Sequence, residues 1–164
     1  MKKSILTVAM VIAGLAAQAQ WVTRNVDNKI DDPYKIAYVE NTTKRALLKL
    51  EDVDGELALY VTGSYFCDDY PSVDIALMVN GEPKRYSITG SKSSDSQTIF
   101  LYDNLLEAEN MELLDNFKKC SSFLIRINES HCTDEFYVFN MTGSTAAVSF
   151  MSNGVSFTFV KPRM

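Results

Sequence analysis

Apolar and polar residues alternate with a period of two along much of this chain. Val73, Ile75, Leu77 and Val79 share one face of an extended run, and Asp74, Ala76, Met78 and Asn80 take the other. Leu57, Leu59 and Val61 alternate with Ala58, Tyr60 and Thr62. Phe123, Ile125 and Ile127 alternate with Leu124, Arg126 and Asn128, and Val155, Phe157 and Phe159 with Ser156, Thr158 and Val160. Such alternation marks strands with one buried face. Between the runs fall Asp54-Gly55, Asn80-Gly81 and Asn153-Gly154, pairs that readily take the positive φ values of a type I′ hairpin turn. They predict hairpins joining 46–51 to 57–64, 72–79 to 83–89 and 147–151 to 155–160, with further strands at 34–40, 97–102, 122–128 and 135–141. About nine or ten short strands in a single sheet would leave one face wet. The expected fold is therefore mainly β, an antiparallel β-sandwich with one α-helix.

That helix comes from a break in the rhythm. Leu106, Leu113, Phe117 and Cys120 recur at spacings of seven, four and three, which is helical. Glu107 and Glu109 lie early and Lys118-Lys119 late, as the helix dipole favours. The helix is placed at about 107–119, across an open end or edge of the sandwich.

The first nineteen residues belong to a different physics. Lys2-Lys3 precede an apolar run from Ile5 to Ala17, and Ala17-Gln18-Ala19 supplies a small-x-small cleavage pattern. This is a secretory leader, 1–19, cleaved after Ala19. It leaves one domain at 20–164 and takes the formal net charge from −5 to −7, because Lys2 and Lys3 leave with it. The expected compartment is the bacterial periplasm or the medium, with no membrane embedding after cleavage. The acidic balance excludes nucleic acid, whose phosphates require clustered Lys and Arg. Here no run of basic residues is longer than a pair, as at Lys44-Arg45, Lys84-Arg85 and Lys118-Lys119.

Candidate chemistry is sparse. Three cysteines, Cys67, Cys120 and Cys132, enter an oxidising compartment, where one disulfide leaves one thiol over. Cys120 precedes strand 122–128 and Cys132 follows it, so a bond between them would have to cross about 20 Å of extended chain. The preferred pairing is Cys67–Cys132, both in connections at strand ends, with Cys120 packed under the helix. Cys67–Cys120 and a fully reduced set are the alternatives. The single histidine, His131, is adjacent to Cys132, and neighbours on extended chain point to opposite sides, so the pair makes a poor nucleophilic dyad. With no second histidine and no CxxC, the sequence predicts neither a metal site nor a cofactor. No catalytic residues are assigned.

One segment stands out: Tyr65-Phe66-Cys67-Asp68-Asp69-Tyr70-Pro71 combines rings with fixed charges, the composition of interface anchors. Phe66, Asp68, Asp69 and Tyr70 are the candidate partner-binding residues. The competing reading is a corner whose rings cap the core.

The order of features also resembles a known group. Trp21 is followed by Asp31-Asp32, Ile36-Ala37-Tyr38-Val39, Leu48-x-Leu50 and Leu57-x-Leu59-x-Val61. Beyond the helix come Leu124-Ile125-Arg126-Ile127-Asn128 and Phe139-Asn140-Met141-Thr142-Gly143. Over roughly 21–151 this resembles the exported β-sandwich domains found in uncharacterised periplasmic proteins, including accessory proteins associated with type VI secretion, with Arg126 and Gly143 the most motif-like positions. The resemblance implies a fold and a compartment, and the family brings no agreed enzymatic activity with it.

The functional expectation is a non-enzymatic binding domain that recognises another envelope or secreted protein. A glycan or small-molecule binder is the alternative and would show an aromatic-lined groove. A carboxylate-only hydrolase comes last and would show two acids converging in a concavity with raised pKa.

Overall fold

In the computed structural model, residues 21–27, 33–41, 43, 46–53, 56–63, 65–101 and 107–152 are described. Ten strands and two helices follow one another: β1 Val22–Val26, β2 Tyr34–Glu40, β3 Leu47–Val53, β4 Glu56–Thr62, β5 Ser72–Val79, β6 Glu82–Thr89, β7 Ser91–Lys92, β8 Thr98–Phe100, α1 Glu107–Lys119, β9 Ser122–Asn128, β10 Glu135–Asn140 and α2 Ser144–Ser152. All pairings are antiparallel and make two sheets, ordered β1-β2-β3-β4-β8-β7 and β10-β9-β5-β6. This is the expected antiparallel sandwich.

The alternating residues build its core. Val73, Ile75 and Leu77 of β5, Phe123, Ile125 and Ile127 of β9, and Tyr137 and Phe139 of β10 are buried with Leu48, Leu50, Leu57, Leu59 and Val61 of the other sheet. Edge-to-face rings run from Trp21 through Phe117 and Phe123 to Phe139, with centroids 5.9, 5.8 and 6.4 Å apart. Such pairs each add about 1 kcal/mol to plain area burial. The β5–β6 turn is the hairpin that Asn80-Gly81 predicted: Asn80 has φ 53° and Gly81 φ 83°, and Val79 pairs with Glu82.

The helix at 107–119 is present as α1, and Cys120 is a free, buried thiol at its end. A second helix is a correction. Residues 147–151, expected as a strand, belong to α2, so the hairpin to 155–160 loses its first arm. The buried residues there are Ser144, Ala147, Val148 and Met151, an i, i+3, i+4, i+7 stripe that only a helix brings to one side. The Ser144 and Thr145 hydroxyls donate to the Lys118 carbonyl at 3.2 and 2.7 Å. They satisfy an orphan acceptor at the end of α1 and lock the helices together. α2 lies against β1, β2 and β3, filling the side of the larger sheet, while the Lys35 ammonium donates to the Phe150 carbonyl at 3.0 Å. β1 and the two-residue β7 add strands that alternation did not announce. The leader 1–19, Asp31-Asp32, the Asp54-Gly55 and Asn153-Gly154 turns and strand 155–160 lie outside the described residues.

Among the described residues no helix is long and apolar enough to cross a membrane.

Candidate functional site

The β5–β9 register makes the site. Ser72 pairs with Asn128, so the segment entering β5 and the loop leaving β9 lie side by side. Cys67 and Cys132 thereby come within 6.1 Å, Cα to Cα, and form a disulfide across 65 residues of chain. In the chain-entropy view, closing a loop of that length stabilises the fold by about 4 kcal/mol.

Polar bonds fix the same corner. Glu129 Oε2 accepts the N–H of Cys67 at 2.5 Å and that of Asp68 at 3.1 Å. Asp68 in turn accepts the N–H and the hydroxyl of Ser130 at 2.6 and 2.8 Å, and its other oxygen meets His131 Nδ1 at 2.7 Å. The Ser130 N–H, then the His131 contact, hold the Asp68 carboxyl well below the usual range, at about 2, because both favour its charged form. Lys92 of β7 donates its N–H to the Asp69 carbonyl at 2.9 Å and its ammonium to the Cys67 carbonyl at 2.8 Å, and pairs with the Asp69 carboxylate at 3.1 Å. Behind the loop, Arg126 donates to Asp134 Oδ2 at 2.6 and 3.2 Å, and Asp134 Oδ1 accepts the Glu129 N–H at 3.1 Å. The Arg126 bonds hold the Asp134 carboxyl below its ordinary value.

The sequence-selected residues divide sharply. Phe66 is fully buried, which removes it from the contact residues. Its N–H is bound to the Ser96 carbonyl at 2.8 Å, and its ring joins the core cluster. Asp68 is half-buried and spends its oxygens inside the corner. Asp69 and Tyr70 remain exposed, and Tyr65, part of the same segment, joins them; each tyrosine is 70% exposed. His131 sits on the loop with its side chain 82% exposed. Reading the sequence missed Glu129 altogether, although Cys132 three residues later was a signal that it would lie near a disulfide. Its Oε1 is buried and has no hydrogen-bond partner among the described residues.

Away from this corner, a concavity lies on the outer face of β6-β5-β9-β10, about 550 Å³ in volume and lined by Asp74, Ala76, Arg85, Ser87, Leu124 and Phe136 among others. Tyr86 touches it only along the strand, because its hydroxyl is turned to Asn116 of α1 and accepts from that amide at 2.7 Å. Among the described residues that line it, Phe136 is thus the one outward ring and Asp74 the one acid. Among the described residues, neither the aromatic lining of a glycan groove nor a converging acid pair lies on this face.

No family model, no curated protein and no solved structure matches the chain.

Proposed function

We propose that the chain is an exported, non-enzymatic binding module that recognises another envelope or secreted protein through its disulfide-clamped corner. Tyr65, Asp69 and Tyr70 are the contact residues, with His131 at their margin. One observation carries this reading: two tyrosines are 70% exposed on a segment whose backbone is immobilised by a disulfide, by Glu129 and by Lys92. Binding loses side-chain and loop entropy, and a loop ordered in advance avoids much of that loss. Tyrosine suits such a place because it offers a large apolar face and a hydroxyl at the cost of few rotatable bonds. Export agrees with the leader read at 1–19 and with a disulfide that an oxidising compartment maintains.

The test is capture from envelope and secreted fractions of the producing cells, comparing wild type with Tyr65→Ala/Tyr70→Ala. A stoichiometric protein retained by the wild type and lost by the variant, at equal melting temperature, supports the reading. Retention by both, or by neither, removes these rings from any recognition role.

A further inference from the structure

The Cys67 and Cys132 sulfurs and a carboxylate oxygen of Glu129 lie within 4.8 Å of one another. Glu129 is only 8% exposed, and its Oε1 is buried without a hydrogen-bond partner among the described residues. A buried carboxylate oxygen left unpaired is costly, and the carboxylate that carries it stands beside two sulfurs. We propose that, once the disulfide is opened, Cys67, Cys132 and Glu129 form a three-ligand site for a thiophilic divalent cation of the zinc class.

The chemistry balances in two steps. An external dithiol gives two electrons and two protons to the Cys67–Cys132 bond: the S–S bond breaks, two thiols form and the dithiol closes into its own disulfide. The cation then displaces both thiol protons to water and takes two thiolates and the carboxylate, with water in the fourth position. Zinc–sulfur bonds of about 2.3 Å in tetrahedral geometry put two thiolates about 3.8 Å apart. That separation fits inside the cluster seen here and is reachable by side-chain rotation.

Charge and orientation favour a cation over bare thiolates. Two thiolates beside one carboxylate would place three negative charges in a largely enclosed corner, and a divalent ion reduces that to one. The N–H groups of Cys67 and Asp68 occupy Oε2, which aims the carboxylate and leaves Oε1 for the ion, the kind of outer bonding that ligating carboxylates receive. Cys132 is exposed while Glu129 is buried, giving the ion an entry path. Thiolates select zinc over magnesium or calcium. This inference uses the same corner as the binding reading but does not depend on it.

The experiment reduces the full chain with a phosphine, which leaves no competing chelator, and titrates zinc and then cobalt. We expect one zinc per chain in reduced wild type, with none in the oxidised form or in Cys67→Ser/Cys132→Ser. Cobalt should give thiolate charge-transfer absorption. Glu129→Gln should weaken zinc binding by roughly tenfold or more, as loss of a metal-site group does. Because the double serine variant keeps Cys120, it controls for the third thiol. Circular dichroism and melting with and without zinc report folding, and zinc should raise the melting temperature of the reduced wild type only. Equal uptake by wild type and the double variant would overturn the proposal by assigning the ion to surface acids. Unchanged affinity in Glu129→Gln would overturn it equally, as would a reduced chain that loses its strand signal and does not regain it with zinc.

Discussion

Glu129 Oε2 accepts the N–H of Cys67 at 2.5 Å although 62 residues of chain separate the two. The bond joins the end of β9 to the segment that leads into β5, alongside the disulfide. The same oxygen takes the N–H of Asp68, so a single side chain satisfies two consecutive backbone donors in a segment that belongs to neither sheet. Backbone donors away from water need partners, and here a carboxylate supplies what a strand neighbour otherwise would.

Removing that carboxylate leaves both donors unmet. Glu129→Ala should destabilise the chain by about 2 kcal/mol or more, since a stranded buried donor costs about 1–3 kcal/mol. Glu129→Gln keeps an acceptor oxygen and should cost less than half as much. Urea unfolding of the two variants checks the order, and equal losses would show that charge, not acceptance, holds the loop.

Phe66 and Tyr70 lie in one segment but on opposite sides of it, one fully buried and one 70% exposed. Phe66→Ala should lower stability by about 3–5 kcal/mol, as emptying a core ring site does. Tyr70→Ala should stay within about 0.5 kcal/mol, as surface changes do. Thermal melts of the single variants distinguish them directly.

These two residues also show how far the sequence could be read. Alternation located β5 and β9 because each has one dry and one wet face. It also located β4, but not that both faces of that strand are dry, since Leu57 through Val61 are all buried. It misled at 147–151, where Ala147, Val148 and Met151 fit a short strand until Ser144 is added and completes a helical stripe. The aromatic segment is legible in composition, yet which ring turns inward depends on the core behind it, and composition does not encode that. The Cys67–Cys132 pairing followed from strand ends alone. Glu129 did not, because a carboxylate directly after an apolar strand reads as a solvated turn until its partners, about 60 residues earlier, are placed beside it.

Gly90 is required by close approach. A Cβ there would stand 2.6 Å from Ile99 Cγ2 and 3.1 Å from Val73 Cγ2, and both side chains are fully buried. Gly90 also donates its N–H to the Pro71 carbonyl at 2.8 Å, so backing away would strain the entry to β5. Gly90→Ala should cost about 1–3 kcal/mol, the range for overpacked cores. Pairing it with Ile99→Val should recover part of that loss, a coupling that a double-mutant cycle in urea would measure.

Cys120 is closed off from the other two cysteines and from reagents. Burial pushes its thiol up to about 12, and only the thiolate is nucleophilic. Native protein should therefore show no alkylation at Cys120 near neutral pH, with one thiol per chain appearing in urea. Labelling in the folded state would mean that the end of α1 opens.

Asp68 gives the corner a pH dependence whose direction follows from its bonds. Its carboxyl titrates at about 2 in the folded chain against an ordinary 3.8, so folding favours the ionised form. Its contribution is fully present above about pH 4 and is lost as pH falls through about 2, where the folded protein takes up the proton as well. Between those values the melting temperature of wild type should fall. Asp134 and Asp95, also held below their ordinary values, contribute slopes of the same sign. Asp68→Asn removes one of these slopes and leaves the others, so its melting temperature should start lower at pH 5 and fall less steeply on acidification. Superimposable wild-type and Asp68→Asn profiles would show that the Ser130 and His131 bonds contribute nothing to holding the loop.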